Sequence, residues 1–244
     1  MLSQPGYHPR MLSPVFPTSA AMLTLPGPVG TLEVAVDPPE AEVVARPVVA
    51  VLCHPLPTEG GTMHNKVVTM AARSLRELGV TTVRFNFRGT GASEGMFDHG
   101  EGELDDLRAV VAWVRDTRPD AALWLGGFSF GAYVSLRGAM ELQPSVLISI
   151  APPAGRWDFE RIALPTMPWL VIQGEEDEVV DPQAVYDWLA DSGADADLVR
   201  IPDTSHFFHR KLMDLRGAIK HGVQRHLPEQ APVKHDLPEP GAAP

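Results

Sequence analysis

The residues with the clearest chemical pattern are Gly127-Phe128-Ser129-Phe130-Gly131, which match G-x-S-x-G. A short apolar segment, residues 121–128, leads into the motif, and a helical pattern follows it over residues 130–142. A serine at a strained turn between a strand and a helix projects its hydroxyl above the sheet, and the close packing of that turn requires glycine on both sides. The pattern therefore predicts that Ser129 is the nucleophile of an acyl-transfer reaction.

A serine hydroxyl is a weak nucleophile, so it needs a general base that is held by a third group. In a strand–turn–helix site of this type the chain order is serine, acid, histidine. Asp177 follows a predicted strand and a glycine turn, and His206 lies between the last predicted strand and the last predicted helix. We therefore predict Asp177 as the orienting acid and His206 as the base. Other candidates remain: Glu175, Glu176, Glu178 and Asp181 for the acid, and His209 for the base.

Two backbone N–H groups are expected to bind the oxyanion that forms during acyl transfer. One belongs to Phe130, which follows the candidate serine at the start of a helix. The other is expected in the loop over residues 53–61, where Leu56 is the best candidate because Pro55 and Pro57 have no N–H to donate.

Two further residues near this loop are assigned structural roles. His54 is predicted to stiffen the turn by hydrogen bonding and to take no part in catalysis. Cys53 ends an apolar segment and is predicted to be an inert core thiol, since a reactive thiol needs a cationic, exposed setting.

Large apolar side chains on the predicted loops at the same edge of the sheet are candidates for an acyl pocket. The alternative is that about half of these side chains pack in the core. They are Met96, Phe97, Trp157, Phe159, Phe207 and Phe208.

Strand and helix patterns alternate along the chain and must position these residues. Strands are predicted at residues 32–36 (an edge strand), 47–53, 80–87, 121–128, 145–151, 169–173 and 198–201. Helices are predicted at residues 65–78, 103–116, 130–142, 181–190 and 211–226. This alternation indicates an α/β fold with a mostly parallel, doubly wound sheet, whose strand C-terminal ends share one edge.

The 244 residues, 44% of them hydrophobic and 21% charged, are typical of a globular protein. We predict one catalytic domain over residues 22–227. Residues 1–21 are rich in proline and are expected to be a flexible extension, with Met22 as an alternative start. Residues 228–244, rich in proline, alanine and charge, are expected to be a disordered tail.

Composition also excludes several classes of function. The formal charge of −11 and the lack of a basic block argue against nucleic acid as a partner. The longest apolar run, residues 48–53, is far too short to span a bilayer. A single cysteine excludes an intrachain disulfide and a zinc site built on paired cysteines. We expect a cytoplasmic protein with no cofactor, no metal and no membrane partner; its oligomeric state is left open.

Taken together, these motifs resemble the α/β-hydrolase superfamily over about residues 23–226. More narrowly, the chain looks like the small, lidless bacterial hydrolases near dienelactone hydrolases and serine-aminopeptidase-like esterases. The resemblance implies an eight-stranded sheet with an antiparallel strand near its start, and it favours Asp177 and His206 over their rivals. Besides the serine motif, the blocks that carry it are residues 60–66, residues 84–89 with Gly91 and Ser93, residues 174–181 and residues 205–208.

Two departures from that group bear on specificity. The group usually carries His-Pro-His-Pro in the oxyanion loop, whereas this chain has leucine at the third position, Leu56. Dienelactone hydrolases proper use a cysteine nucleophile, so their lactone substrate is not carried over to Ser129. In addition, residues 152–168 are too few for a helical cap domain, which predicts an open site.

The sequence therefore predicts a carboxylesterase-like hydrolase that acts on small to medium acyl esters or thioesters. An aminopeptidase-like amide hydrolase is the alternative, with Glu59 or Glu101 holding a substrate amine. A non-catalytic binding protein of the same fold is a third hypothesis, but it predicts decay of the serine motif, which is intact.

Overall fold

The computed structural model describes residues 14–229 and contains a single eight-stranded sheet in that range. Its strands are β1 (Ala21–Gly27), β2 (Gly30–Asp37), β3 (Val48–Cys53), β4 (Thr81–Phe85), β5 (Ala122–Phe128), β6 (Val146–Ile150), β7 (Trp169–Gly174) and β8 (Asp197–Ile201). Their spatial order is β1-β2-β4-β3-β5-β6-β7-β8. Strand β2 is antiparallel to both β1 and β4, and all other neighbours are parallel. The expected mostly parallel sheet with an antiparallel start is confirmed.

Five α-helices cover the two faces of this sheet. They are α1 (Lys66–Arg76), α2 (Glu101–Thr117), α3 (Phe130–Leu142), α4 (Pro182–Ser192) and α5 (Leu212–Val223). Alternate side chains of β3 enter opposite core layers, Val49 and Val51 on one side and Ala50 and Leu52 on the other. Helices α2, α3 and α4 close the first layer, and α1 and α5 close the second. The doubly wound arrangement follows from strands that are apolar on both faces.

The start of the sheet differs from the sequence-based expectation. The segment predicted as an edge strand lies in β2, an inner strand, because β1 pairs along its whole length. Strand β1 itself was not predicted, because Leu25 is its only buried side chain and Pro26 argues against a strand. Proline is tolerated there because β1 is an edge strand whose outer side needs no ladder hydrogen bond.

Part of the predicted N-terminal extension belongs to the folded domain. Phe16 is buried and stacks on Trp113 with ring centroids 5.0 Å apart. The Trp113 indole N–H donates to the Pro14 carbonyl at 2.7 Å. Pro14 and Phe16, which lie in the predicted extension, thus contact α2 through Trp113. Residues 1–13 and 230–244, the rest of the predicted extension and most of the predicted tail, lie outside the described residues.

The long connection from β6 to β7 bears on access to the sheet edge. Residues 152–168 contain no α-helix, so this connection builds no helical cap. Within residues 14–229, moreover, none of the helices combines the length and apolar character needed to cross a bilayer.

Candidate active site

Ser129 occupies the sharp turn between β5 and α3, with φ 53° and ψ −119°. The glycines on either side allow this turn. A Cβ on Gly127 would lie 2.2 Å from the Gly131 backbone, and one on Gly131 would lie 2.3 Å from the Cys53 carbonyl oxygen. Because real Cβ atoms do not approach backbone this closely, both positions require glycine. The strained turn holds Ser129 above the strand ends, next to the first free N–H groups of α3.

Asp177 and His206 are in contact although 29 residues separate them in the chain. The His206 Nδ1 lies 2.7 Å from the Asp177 Oδ2, and both side chains are almost fully buried. Asp177 follows the end of β7, and His206 lies in the loop after β8, which is the neighbouring strand. Adjacent parallel strands thus bring the two loops together.

Four donors surround the Asp177 carboxylate. Besides His206, the Gln173 amide donates to Oδ2 at 3.0 Å, and the Val179 and Val180 backbone N–H groups donate to Oδ1 at 2.9 and 2.7 Å. Burial acts to raise the pKa of Asp177, but the hydrogen bonds from His206 and from the two backbone groups outweigh it and lower that pKa. The carboxylate is therefore kept ionised beside the imidazole.

The other acidic candidates have different environments. Glu175 and Glu176 are exposed, and Asp181 caps α4 by accepting the Gln183 N–H. Glu178 accepts the backbone N–H of His206 at 3.0 Å, so it contacts the backbone of His206 and not the imidazole ring. Among the rival acids, then, none of the four carboxylates bonds to the His206 imidazole.

The base candidates are also distinguished by position. The His206 ring packs between Phe128 and Phe207, with centroid distances of 4.9 and 5.0 Å. His209 is exposed and does not line the cavity that contains Ser129. Ser129 and His206 line the same cavity, although no hydrogen bond joins Ser129 Oγ to His206 Nε2 in this structure. Such contacts often tighten only when substrate is bound.

The backbone N–H groups of Leu56 and Phe130 both belong to residues that line this cavity. Neither group donates to an acceptor within the described part of the chain. The Leu56 carbonyl accepts the Glu59 and Gly61 N–H groups at 3.1 and 3.0 Å, which fixes the turn that presents the Leu56 N–H. Two free donors beside a serine are what an oxyanion requires.

His54 braces the turn that carries Leu56. Its Nδ1 lies 2.6 Å from the Pro55 carbonyl oxygen, and its Nε2 accepts the Phe87 backbone N–H at 3.0 Å. Burial lowers the pKa of His54 to about 4, partly opposed by the Pro55 hydrogen bond. The neighbouring Cys53 is fully buried, and burial raises its pKa well above the ordinary value. The predicted hydrogen bonding of His54 within this turn and the predicted burial of Cys53 are thus observed.

This bracing predicts a pH-dependent stability. The unfolded chain protonates His54 near pH 6.5, whereas the folded chain resists protonation down to about pH 4. Stability is therefore full above about pH 6.5 and falls as the pH drops toward 4. Between pH 7 and pH 5 we expect His54 to account for a loss of about 2 kcal/mol in the free energy of unfolding.

Urea unfolding of the wild type and of His54→Gln at several pH values measures this effect. The variant should lose less stability on acidification than the wild type does. His209→Gln is the matched control, since that side chain is solvent-exposed, and it should keep the wild-type slope. Equal slopes for the wild type and His54→Gln would contradict the prediction.

The cavity above Ser129 has a volume of about 420 Å³. Trp157 and Phe207, two of the predicted pocket residues, line it together with Leu56. The remaining lining residues are Pro55, Glu59, Gly60, Gly61, Asn65, Ser129, Phe130, Pro153, Arg156, Val179, Val180 and His206. The walls combine apolar side chains with three polar ones, Glu59, Asn65 and Arg156, besides Ser129 and His206.

The other predicted pocket residues do not line this cavity. Phe208 is fully buried and packs on Phe128 in the core, because the chain turns sharply (φ 52°) directly after the half-exposed Phe207. Phe97 packs against the Phe130 ring at 5.7 Å. Met96 is exposed to solvent, and Phe159 is a core residue. These four residues are therefore dropped from the proposed pocket.

Several lining residues were not among the pocket residues predicted from the sequence. Arg156, Asn65 and the Val179–Val180 pair come from three separate loops, which the strand order brings together. Only the lateral order of the strands shows that these residues line one cavity. Residues 14–229 include no group of histidine, cysteine, aspartate or glutamate side chains arranged to hold a metal ion.

Comparisons with known proteins place this geometry among related chains. A model of the X-Pro dipeptidyl-peptidase family (S15 family) matches residues 50–166. An uncharacterized protein from Rickettsia prowazekii is 34% identical over 182 residues, which are 70% of this chain and 76% of that one.

Two solved structures are more informative. A lidless α/β serine hydrolase from Xanthomonas campestris is 68% identical, with a TM-score of 0.87; the match covers 90% of this chain and 100% of that chain. An α/β serine hydrolase homologue from Coxiella burnetii is 41% identical, with a TM-score of 0.82, over 85% of this chain and 99% of that chain.

Proposed function

Since the chain belongs to the α/β serine hydrolases without a lid, we propose that it cleaves carboxylic esters or thioesters of small to medium acyl groups. One observation carries this proposal. The buried Asp177–His206 pair opens onto the same cavity as Ser129, which stands on a strained strand–helix turn.

In the proposed reaction His206 Nε2 accepts the Ser129 Oγ proton while Oγ attacks the ester carbonyl. The resulting oxyanion takes hydrogen bonds from the Leu56 and Phe130 N–H groups. When the tetrahedral intermediate collapses, the bond to the alcohol or thiol breaks and His206 donates its proton to that leaving group. Asp177 keeps the imidazole in the tautomer with its proton on Nδ1 and stabilises the imidazolium.

Water then completes the cycle. His206 removes a proton from water as the water oxygen attacks the acyl-enzyme carbonyl, and the free acid leaves as the proton returns to Ser129 Oγ. The substrate is a small molecule, and the proposed reaction uses no cofactor.

The acyl preference follows from the cavity. A volume of about 420 Å³ with no helical cap over it suits short acyl chains and leaves little apolar surface to hold long ones. The side chain of Leu56 packs partly on the core and adds an apolar wall where the related group usually carries histidine.

A panel of p-nitrophenyl esters tests the proposal. We expect kcat/KM to be highest for acetate, butyrate or hexanoate and to fall at least tenfold for palmitate, because the longer chain extends beyond the walls. If the protein hydrolyses none of these esters and no matched thioester, the proposed function is wrong. A preference for palmitate would contradict the assignment of the cavity as the acyl site.

Glu59 supports a second candidate, an amide hydrolase that holds a substrate amine. Glu59 lines the cavity, and the family model that matches residues 50–166 describes a peptidase family. Glu101, the other carboxylate considered, pairs with Arg137 at 2.8 Å and is not among the lining residues. Comparison of alanine p-nitroanilide with p-nitrophenyl propionate separates the two functions: the peptidase candidate predicts faster cleavage of the anilide and its loss in Glu59→Gln.

A further inference from the structure

Arg156 is a charged group in the cavity wall for which the proposed reaction has no use. It lies in the β6–β7 connection, where its backbone N–H donates to the Pro153 carbonyl at 3.1 Å. Its guanidinium donates through Nη1 to the Val179 carbonyl at 2.8 Å. Both Arg156 and Val179 line the cavity that contains Ser129. Arg156 is exposed to solvent, and this hydrogen bond positions its guanidinium beside Val179.

Most of the hydrogen-bonding capacity of this guanidinium is unused. A guanidinium has five N–H donors, and the Val179 carbonyl takes one of them. No carboxylate among residues 14–229 forms an ion pair with Arg156, although the chain carries a net charge of −11. The nearby Asp158 pairs with Arg161 at 3.4 Å. Four donors are thus left without a protein acceptor among the described residues.

Arg156 and the acidic residue of the cavity, Glu59, follow different strands of the sheet. Glu59 follows β3, Ser129 follows β5 and Arg156 follows β6, in that lateral order across the sheet. The Val179 carbonyl that binds Arg156 follows β7, one strand farther from Glu59. Neighbouring strands are about 4.8 Å apart, so this strand order puts the Arg156 loop and the Glu59 loop on opposite sides of the serine turn. The cavity therefore favours an anionic group of a ligand only on the β6–β7 side.

We propose that Arg156 binds a carboxylate carried by the substrate, so that the preferred esters are anionic; this rests on the proposed ester hydrolysis. A guanidinium can donate two parallel N–H groups to one carboxylate, and this bidentate contact gives both affinity and orientation. Among the described residues that line the cavity, Arg156 is the one with a permanent positive charge. The carboxylate belongs either to the acyl chain or to the alcohol.

Two pairs of esters distinguish these sources. The acyl pair is p-nitrophenyl hydrogen glutarate and methyl p-nitrophenyl glutarate, which differ by the carboxylate alone. The alcohol pair is 4-carboxyphenyl butyrate and its methyl ester. The measured quantity is the ratio of kcat/KM for the acid to that for the methyl ester, in the wild type, Arg156→Gln, Arg156→Lys and the control Arg161→Gln. Arg161 is a suitable control because its side chain is exposed and it does not line the cavity.

We expect Arg156→Gln to lower this ratio about tenfold for one of the two pairs, and Arg156→Lys to lower it less. Arg161→Gln should leave both ratios at their wild-type values. If both ratios are the same in the wild type and in Arg156→Gln, the proposal is wrong. An equal fall in Arg161→Gln would also overturn it, because the effect would then reflect general surface charge.

A binding measurement separates this proposal from the proposed function. Monomethyl glutarate and dimethyl glutarate are themselves esters, so their binding is compared by ligand-observed NMR in Ser129→Ala and in Ser129→Ala that also carries Arg156→Gln. If the acid binds about tenfold more weakly to the protein with Arg156→Gln, the anion site is supported even if no ester is cleaved. If Arg156→Gln leaves the binding of the acid unchanged, the anion site is contradicted even if esters are cleaved.

Discussion

Replacement of Ser129 by alanine is expected to lower kcat for a short p-nitrophenyl ester by about 10⁶. The alanine keeps the fold but removes the only atom proposed to form the acyl-enzyme bond. Residual hydrolysis comes from the oxyanion donors, which still stabilise attack by water. The measurement is ester turnover together with covalent labelling by a fluorophosphonate probe, which should disappear in the variant.

Ser135→Ala provides the matched control for this experiment. Ser135 is buried in the same helix, where its hydroxyl donates to the Ala132 carbonyl at 3.1 Å, and it does not line the cavity. This variant should keep labelling and turnover near wild-type values. Full turnover in Ser129→Ala would show that the nucleophile is wrongly assigned. An intact wild type that does not react with the probe would favour the hypothesis of a binding protein without catalysis.

Replacement of Asp177 by asparagine is expected to lower kcat by about 10⁴. The Val179 and Val180 N–H groups bond to Oδ1, so the asparagine oxygen should remain there and place its NH₂ group at the position of Oδ2. That position faces His206 Nδ1 at 2.7 Å. The imidazole must then accept at Nδ1 and carry its proton on Nε2, where it cannot act as a base toward Ser129.

Three neighbouring variants test the specificity of this effect. Glu175→Gln and Glu176→Gln change exposed carboxylates and should retain activity. Glu178→Gln alters the group that bonds to the His206 backbone N–H, so it should cost far less than Asp177→Asn. If Asp177→Asn stays within tenfold of the wild type, or if Glu178→Gln causes the larger loss, Asp177 is not the orienting acid.

Much of the fold could be predicted because its signals are local. Short runs rich in valine, leucine and isoleucine predicted β3, β5, β6 and β7, which are buried on both faces. The Asp181–Pro182 pair predicted the start of α4, where Asp181 accepts the Gln183 N–H at 3.0 Å. Such caps depend on neighbours a few residues away, which the sequence shows directly.

Elements stabilised by distant contacts could not be predicted in this way. Strand β1 contains Pro26 and residues 14–20 contain Pro14 and Pro17, and these segments are held by β2 and by Trp113. The aromatic residues of the candidate pocket show the same limit. Phe207 and Phe208 are adjacent in the sequence, yet one lines the cavity and the other is in the core.

By itself, the sequence determined the residue types and their order: a serine between glycines, an acidic loop and a histidine loop, on alternating strands and helices. Only the tertiary structure showed the contact between Asp177 and His206, the cavity that Leu56 and Phe130 line together with Ser129, and the place of Arg156 in the wall of that cavity. The reason is that a loop's chemistry depends on its own residues, whereas its neighbours are set by the lateral order of the strands, which forms through contacts between distant parts of the chain.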